Sequence, residues 1–365
     1  MVLVSVNHRV NAFGYLYLGG LSERFAGSGN IGQQDLIAAL AWVRDNIAAF
    51  GGNPENVTLM GESGGGAKIT TLMAMPAAQG LFHKAIIECG SFLRVATSDE
   101  ATATARAVLT TLGLDETQVD RLQEAPATRL EEAVRHLPFG QIGPVVDGRT
   151  LLDQPWDPAA PTLSAPVPVI VGTCQDEARW LFGSGDAALF DLDEAGMRER
   201  LARLRSLPAD MVDAVSAVYR AAHPTATPSD LFFLIASDVL FRASAILQAE
   251  RKMQQGVAPA FMFYFTYGPP ILDGRFKAFH TAELPLALRL VYYPESDGLS
   301  QQIAGAWAAF ARTSDPSLPG LPWPAYTLDE RATMIFDATT SHVTNDPDRT
   351  VRLCLHALPQ PGLFG

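Results

Sequence analysis

The sequence is poor in charge and has no excess of basic residues. Charged residues make up 18% of the 365 residues, below the roughly 25% of an average soluble protein. Lysine and arginine together number 27 against 39 aspartates and glutamates, which gives a net charge of −12. A chain this acidic argues against binding to nucleic acid or to an anionic membrane surface.

Cysteines and long hydrophobic runs are also scarce. The three cysteines, Cys89, Cys174 and Cys354, are far apart in the sequence. A disulfide framework or zinc cluster needs more cysteines at closer spacing, so we predict buried thiols and no metal site. The most apolar stretch, 231–241, is shorter than the roughly 18 residues of a membrane span and contains Asp238. No signal peptide is visible, which predicts a cytoplasmic location for the chain as given.

Apolar residues, which make up 48% of the chain, occur in short runs that alternate with amphipathic stretches. The runs at 2–7, 57–60 and 85–89 predict strands buried on both faces. Between the first two runs, apolar residues recur every three or four positions over 36–50, which predicts a helix ended by the glycines that follow. This alternation indicates a parallel sheet with crossover helices.

Two further strands are predicted downstream, at 167–173 and 260–267, and the tail is predicted to contain loops with short strands. The stretches at about 98–138 and 186–255 are typical of helices. No internal repeat or low-complexity linker separates these parts. We therefore predict one α/β domain over residues 1–365, with the two helical stretches inserted into it.

Residues 61–65, with the sequence GESGG, match the G-x-S-x-G pattern of a nucleophile elbow. The pattern alone is weak evidence, but here a predicted strand enters it and a predicted helix leaves it. Such a sharp turn exposes Ser63 above the sheet and needs flanking glycines, because larger side chains would clash. The alternative is a phosphate-binding loop at a helix start, but the sequence around Lys68 does not match a P-loop.

An elbow serine needs a histidine that takes its proton and an acid that orients the histidine, in the chain order serine, acid, histidine. Asp176 and Glu177 both follow the predicted strand at 167–173. His280 follows the next strand. The other histidines precede the acid, lie in a helical insertion or lie in the tail: His8, His83, His136, His223, His342 and His356. We therefore predict Ser63 and His280 as a pair, with either acid.

Longer stretches form a specific pattern in the first 63 residues: 4–14 (VSVNHRVNAFG), 29–35 (GNIGQQD), 41–47 (AWVRDNI), 50–58 (FGGNPENVT) and 61–63 (GES). Thinner matches follow at 144–148, 172–177 and 278–284. In these stretches the chain resembles the carboxylesterase type B family, the α/β-hydrolases that include cholinesterases and bacterial para-nitrobenzyl esterases. The resemblance extends to about Trp323.

The resemblance implies an α/β-hydrolase fold and hydrolysis of small-molecule carboxylic esters through an acyl-enzyme, with no metal or cofactor. It implies Ser63 as the nucleophile and His280 as the base. It also implies Glu177 rather than Asp176 as the acid, because the family's acid is the glutamate of its Asp-Glu pair.

Two more residues have implied roles. The N–H of Gly64 should be an oxyanion donor, and Ser91 matches a family serine that supports the buried glutamate, although a helix N-cap is an equal alternative for Ser91. Other functions stay open: amide or thioester hydrolysis by the same residues, a non-catalytic relative acting by protein contact, or an inactive truncated chain. An intact Ser-Glu-His set argues against the non-catalytic relative.

One part of the family pattern is absent from the sequence. Family members carry an upstream H-G-G-G loop with further oxyanion donors, whereas the early glycine pair here, Gly19-Gly20, follows the first predicted strand. The predicted strand at 2–7 looks like the family's fourth strand and the elbow strand like its fifth, without the third between them. We therefore expect the family's N-terminal part, which could carry a signal sequence, to be missing.

Overall fold

Strands of the central sheet organise the fold, in a computed structural model that describes residues 1–138, 140–204 and 207–359. The strands of these residues are β1 (Thr58–Glu62), β2 (Lys84–Glu88), β3 (Ala96–Thr97), β4 (Val145–Val146), β5 (Val169–Cys174), β6 (Ala260–Phe265), β7 (Ala332–Phe336) and β8 (His342–Asn345). The central sheet has the order β1-β2-β5-β6-β7-β8, in which β8 is antiparallel and the others are parallel. β3 and β4 pair separately.

Helices cover the sheet and fill the segments between its strands. Those of the described residues are α1 (Asn11–Tyr15), α2 (Ile31–Asn46), α3 (Gly64–Leu72), α4 (Ser98–Thr111), α5 (Ala127–Val134), α6 (Glu177–Leu181), α7 (Glu194–Leu201), α8 (Val212–Ala222), α9 (Pro228–Ser237), α10 (Ala243–Gln255), α11 (Leu284–Ala287), α12 (Asp297–Thr313) and α13 (Arg349–His356). One π-helical turn, Asp238–Arg242, joins α9 to α10. None of these helices has both the length and the apolar character needed to cross a membrane.

Four of the predicted strands are confirmed, as β1, β2, β5 and β6. All residues of β2, β5 and β6 are buried, which is the reason that their sequences are continuous apolar runs. β1 is half-buried along its whole length, because it is the outer strand of the sheet.

The predicted strand at 2–7 is wrong. Residues 1–10 contain no helix or strand, and the side chains of Val2, Leu3 and Val4 are exposed. A strand requires a neighbour that pairs its N–H and C=O groups, and in the described part of the chain no strand pairs with this segment. The sheet therefore begins at β1, and the apolar run at 2–7 stays irregular.

Both predicted helical stretches contain helices. The first stretch contains α4 and α5, and the second contains α7 to α10, apart from residues 205–206, which lie outside the described residues. Each stretch has an apolar core of its own: α1, α4 and α5 share one, and α6 to α9 share another with α13. The sequence does not predict the helix α13, because its segment of the tail is short and its apolar residues span only one or two helical turns.

The carboxyl ends of β1, β5 and β6 position the candidate site. β1 leads directly into Ser63, β5 ends two residues before Asp176, and the loop after β6 contains His280. Because these strands are parallel, their carboxyl ends meet at one edge of the sheet, where sites in such folds form.

Candidate active site

Ser63 lies in the sharp turn between β1 and α3. Its backbone has φ 52° and ψ −118°, a region that costs a residue with a side chain about 1–3 kcal/mol. The Ser63 N–H donates to the carbonyl of Glu88 on β2 at 2.8 Å. This bond ties the strained turn to the neighbouring strand, and it leaves the serine side chain at the edge of the sheet.

Close backbone contacts at glycines allow this turn. A Cβ on Gly61 would lie 2.6 Å from the carbonyl carbon of Gly65, whereas a Cβ on Gly65 would meet nothing within 4 Å. The prediction that a larger side chain would clash at the flanking glycines is therefore right for Gly61 and wrong for Gly65. A Cβ on Gly66 would lie 2.9 Å from the Cα of Gly90. Gly66 and Gly90, which the motif does not include, let α3 approach the segment after β2.

Ser63, His280 and Glu177 form a continuous hydrogen-bonded chain. Nε2 of His280 lies 2.8 Å from Oγ of Ser63, and Nδ1 of the same ring bonds to Oε2 of Glu177. The other oxygen of Glu177 accepts the backbone N–H of Cys174 at 2.9 Å. Glu177 is fully buried, so its carboxylate is held on both sides and orients the imidazole toward the serine.

Asp176 faces away from the imidazole. Its carboxylate accepts a hydrogen bond from Nε of Arg179 at 2.8 Å, in an ion pair whose two side chains are only 3% and 5% exposed. Its backbone N–H donates to the carbonyl of Ala278 at 2.8 Å. Of the two acids that the residues alone left open, Glu177 is the one in contact with His280.

The two remaining predicted residues differ in their surroundings. Gly64 is the first residue of α3, so its N–H belongs to the first turn, which has no acceptor within the helix. Ser91 is buried, and its hydroxyl has no hydrogen-bond partner among the described residues. The structure does not bring Ser91 into the chain of Glu177, and the N-cap of the next helix, α4, is Thr97 instead.

Comparison with known families identifies the chain. The model of the carboxylesterase family matches residues 1–351. The chain belongs to the carboxylesterase family. With this membership it is a carboxylic ester hydrolase, and the expected family and α/β-hydrolase fold are confirmed.

Individual relatives agree with the family assignment. The chain is 34% identical to the para-nitrobenzyl esterase of Bacillus subtilis, over 96% of this chain and 72% of that protein. It is 31% identical to the human cocaine esterase, over 91% of this chain and 62% of that protein. The crystal structure of a carboxylesterase from Geobacillus stearothermophilus superimposes with a TM-score of 0.84 at 33% identity, over 96% of this chain and 74% of that one.

A second carboxylate reaches the histidine of this carboxylesterase. Oε1 of Glu62 lies 3.4 Å from Nε2 of His280, so the imidazole has carboxylates on both sides. Burial lowers the pKa of His280, but the hydrogen bond and charge of Glu177 and the charge of Glu62 outweigh burial and raise it to about 9. Burial raises the pKa of Glu62 to about 8. The sequence predicts no role for Glu62, which occupies the variable position of G-x-S-x-G and the middle of the GES match.

Further buried acids and two thiols lie close to the histidine, on the interior side of the site. Glu283 accepts hydrogen bonds from Sγ of Cys89 at 3.2 Å and from Sγ of Cys174 at 2.8 Å. Oε1 of Glu88 accepts from the indole N–H of Trp307 at 2.9 Å. Burial, followed by the charge of Glu283, raises the pKa of Glu88 well above its ordinary value. No motif in the sequence points to this cluster.

The three cysteines differ in burial, and two of them lie close together in space. Cys89 and Cys174 are buried, as predicted, whereas Cys354 is half-buried. The two buried thiols are distant in the chain but adjacent in space, because β2 and β5 are neighbouring strands and end at the same edge. Spacing along the sequence could not reveal this pair.

Proposed function

We propose that this carboxylesterase acts through an acyl-enzyme in which Ser63 is the nucleophile, His280 the base and Glu177 the acid. The hydrogen-bonded chain from Ser63 Oγ through both imidazole nitrogens to Glu177 supports the proposal. Hydrolysis of small-molecule esters is the corresponding reaction. Two relatives are themselves named as esterases, the para-nitrobenzyl esterase and the cocaine esterase, which supports esters as the substrate class.

The first half of the reaction acylates the serine. Oγ of Ser63 attacks the ester carbonyl while Nε2 of His280 takes its proton, and Glu177 stabilises the imidazolium that forms. The imidazolium then protonates the leaving alkoxide, and the alcohol departs. The N–H of Gly64 donates to the oxyanion of the tetrahedral intermediate, where one such donor contributes a factor of about 10²–10³ to turnover.

The second half releases the acid product. Water enters the space that the alcohol left, and His280 takes a proton from it as it attacks the acyl carbonyl. Collapse of this intermediate returns the proton from His280 to Ser63 and releases the carboxylic acid. Over the two halves, His280 accepts a proton twice and gives it up twice. The three side chains of the enzyme thus return to their starting state.

Active-site labelling with a fluorophosphonate tests this assignment. We expect the wild-type chain to be labelled on one serine, and Ser63→Ala to lose both the label and p-nitrophenyl ester hydrolysis. His280→Ala should lower the labelling rate and turnover by orders of magnitude, because the base is lost. His342→Ala is the matched control, since His342 is exposed on β8. Near-full activity of His280→Ala would contradict the proposal.

A further inference from the structure

The thiol pair and its carboxylates have the composition of a metal site. Sγ of Cys89, Sγ of Cys174 and an oxygen of Glu177 all lie within 4.8 Å of one another. Glu283 adds two oxygens, at 3.2 Å from the sulfur of Cys89 and 2.8 Å from that of Cys174. Four donor side chains therefore surround one small volume.

The charges around this volume favour a cation. Four carboxyl groups, those of Glu62, Glu88, Glu177 and Glu283, lie at the cluster, and in the described ranges none of them forms an ion pair with lysine or arginine. Glu88 is fully buried, and one of its oxygens has no hydrogen-bond partner among those residues. In the described ranges the basic group in contact with these acids is the single imidazole of His280. Four carboxyl groups against one imidazole leave the cluster short of positive charge, and a divalent cation would supply it.

The donor types select the metal. Two thiolates with carboxylate oxygens suit Zn²⁺, which binds sulfur and oxygen in tetrahedral geometry. Bonds of about 2.3 Å to sulfur and about 2.0 Å to oxygen place tetrahedral ligands roughly 3.3–3.8 Å apart. The donor atoms of Cys89, Cys174 and Glu177 already lie within 4.8 Å of one another, and the oxygens of Glu283 lie 3.2 and 2.8 Å from the two sulfurs.

We propose that Cys89, Cys174, Glu177 and Glu283 form a Zn²⁺ site beneath His280, at which zinc inhibits the esterase. Each thiol gives its proton to the buffer as its sulfur bonds to zinc, and no oxidation is involved. Zinc bound to Glu177 competes for its carboxylate with the ring of His280 and the backbone N–H of Cys174, the two groups that hold it in place. Only the inhibition rests on the proposed function, because the site itself does not need the catalytic roles.

Donor atoms nearer the surface share one ligand with the buried site. Glu62, Cys89 and His280 form a second set of donor atoms that lie within 4.8 Å of one another. Cys89 belongs to both sets, and the Glu62 side chain is 11% exposed. Zinc can thus bind first beside Glu62 and His280 and then exchange onto the buried thiols.

Titration of the reduced protein with Cd²⁺, which absorbs in the ultraviolet when bound to thiolate, tests the site without using activity. We expect one Cd²⁺ per chain with a thiolate-to-metal absorption band, and competition by Zn²⁺. Cys89→Ser and Cys174→Ser should each weaken binding more than about 100-fold, beyond the effect of losing a supporting residue. Cys354→Ser is the matched control and should bind as the wild type does.

Ser63→Ala separates the site from the function. It should bind Cd²⁺ as the wild type does although it lacks activity, and zinc should inhibit the wild type at the concentration that saturates binding. Absence of the thiolate band in the wild type, or a band that is lost in Cys354→Ser and kept in Cys174→Ser, would overturn the proposal. Folding of each variant is checked by near-ultraviolet circular dichroism.

Discussion

At the scale of single residues, Asp176 and Glu177 are adjacent in the sequence but have opposite surroundings. Asp176 is paired with Arg179, while Glu177 accepts a backbone N–H and bonds to His280. The reason is that Asp176 precedes α6 and Glu177 is its first residue, so that the two side chains leave the backbone in different directions. Chemical similarity therefore does not make them equivalent.

Substitution of each acid by its amide separates their roles. Glu177→Gln should lower kcat by about 10³–10⁴, because an amide cannot stabilise the imidazolium and favours the wrong tautomer. Asp176→Asn should instead lower the free energy of unfolding by about 1–3 kcal/mol, through its weakened bond to Arg179, with turnover of the folded protein preserved. Ester hydrolysis and urea unfolding measure the two effects. The reverse pattern would exchange the roles of the two acids.

The Glu62 carboxylate, together with Glu177, is expected to shift the acid limb of the pH profile. His280 must be neutral to act as base, so kcat/KM falls as pH decreases through its pKa, which Glu177 and Glu62 raise to about 9 against the effect of burial. Glu62→Gln removes one of these anions and lowers the pKa of His280. We expect the acid limb of kcat/KM to move to lower pH by about one unit.

The matched control for this shift is Glu131→Gln, since Glu131 is exposed on α5. Its pH profile should coincide with that of the wild type. Glu177 and Glu283 remain next to His280 in the Glu62 variant, so the limb should stay above the ordinary histidine value of about 6.5. An unchanged limb, or one moved to higher pH, would show that Glu62 does not act on the histidine.

At the scale of elements, the contact between α3 and the end of β2 holds the nucleophile turn. Gly66 on α3 and Gly90 after β2 meet backbone to backbone, and the N–H of Ser63 bonds to the carbonyl of Glu88 between them. The position of the serine therefore depends on how closely a helix and a strand approach each other. The G-x-S-x-G pattern reports the turn but not this approach.

Two alanine substitutions on α3 test this contact. Gly66→Ala should lower the free energy of unfolding by about 1–3 kcal/mol, because its Cβ would lie 2.9 Å from the Cα of Gly90. Gly65→Ala, one residue earlier in the same helix, has free space around its Cβ. It should be neutral or stabilising by up to about 1 kcal/mol, since alanine favours a helix. Equal destabilisation of both variants in urea unfolding would contradict this reading.

At the scale of the whole molecule, the tail packs against the second helical stretch, which lies much earlier in the chain. Val351 and Leu355 of α13 are buried in the core that α6 to α9 form, and Arg352 pairs with Asp346 at 2.5 Å. The core of the second helical stretch is therefore completed only when α13 packs against it. Stability of this region depends on contacts between distant parts of the sequence.

Leucines on opposite faces of α13 test the docking. Leu355 is 1% exposed and Leu353 is 52% exposed. Leu355→Ala should lower the free energy of unfolding by about 2–4 kcal/mol through the cavity it leaves, whereas Leu353→Ala should change it by less than about 0.5 kcal/mol. Thermal and urea unfolding measure both. A small effect of Leu355→Ala would mean that α13 does not stabilise the helical core.

The sequence by itself determined the features of this protein that depend on neighbouring residues or on the order of residues along the chain. Buried apolar runs predicted β1, β2, β5 and β6, and turn chemistry predicted the elbow at Ser63, because both depend on neighbouring residues. Chain order then restricted the candidate base to His280 and the candidate acid to two adjacent residues. The family resemblance added the choice of Glu177 and the fold name.

Only the tertiary structure decided the features that depend on partners distant in the chain. Residues 2–7 have the composition of a strand, but a strand also needs a paired neighbour, which composition does not report. Cys89 and Cys174 meet because two parallel strands end side by side, and Glu62 reaches His280 because the turn at Ser63 directs it there. Pairing, strand neighbourhood and side-chain direction arise from the packed chain, so no local pattern could predict them.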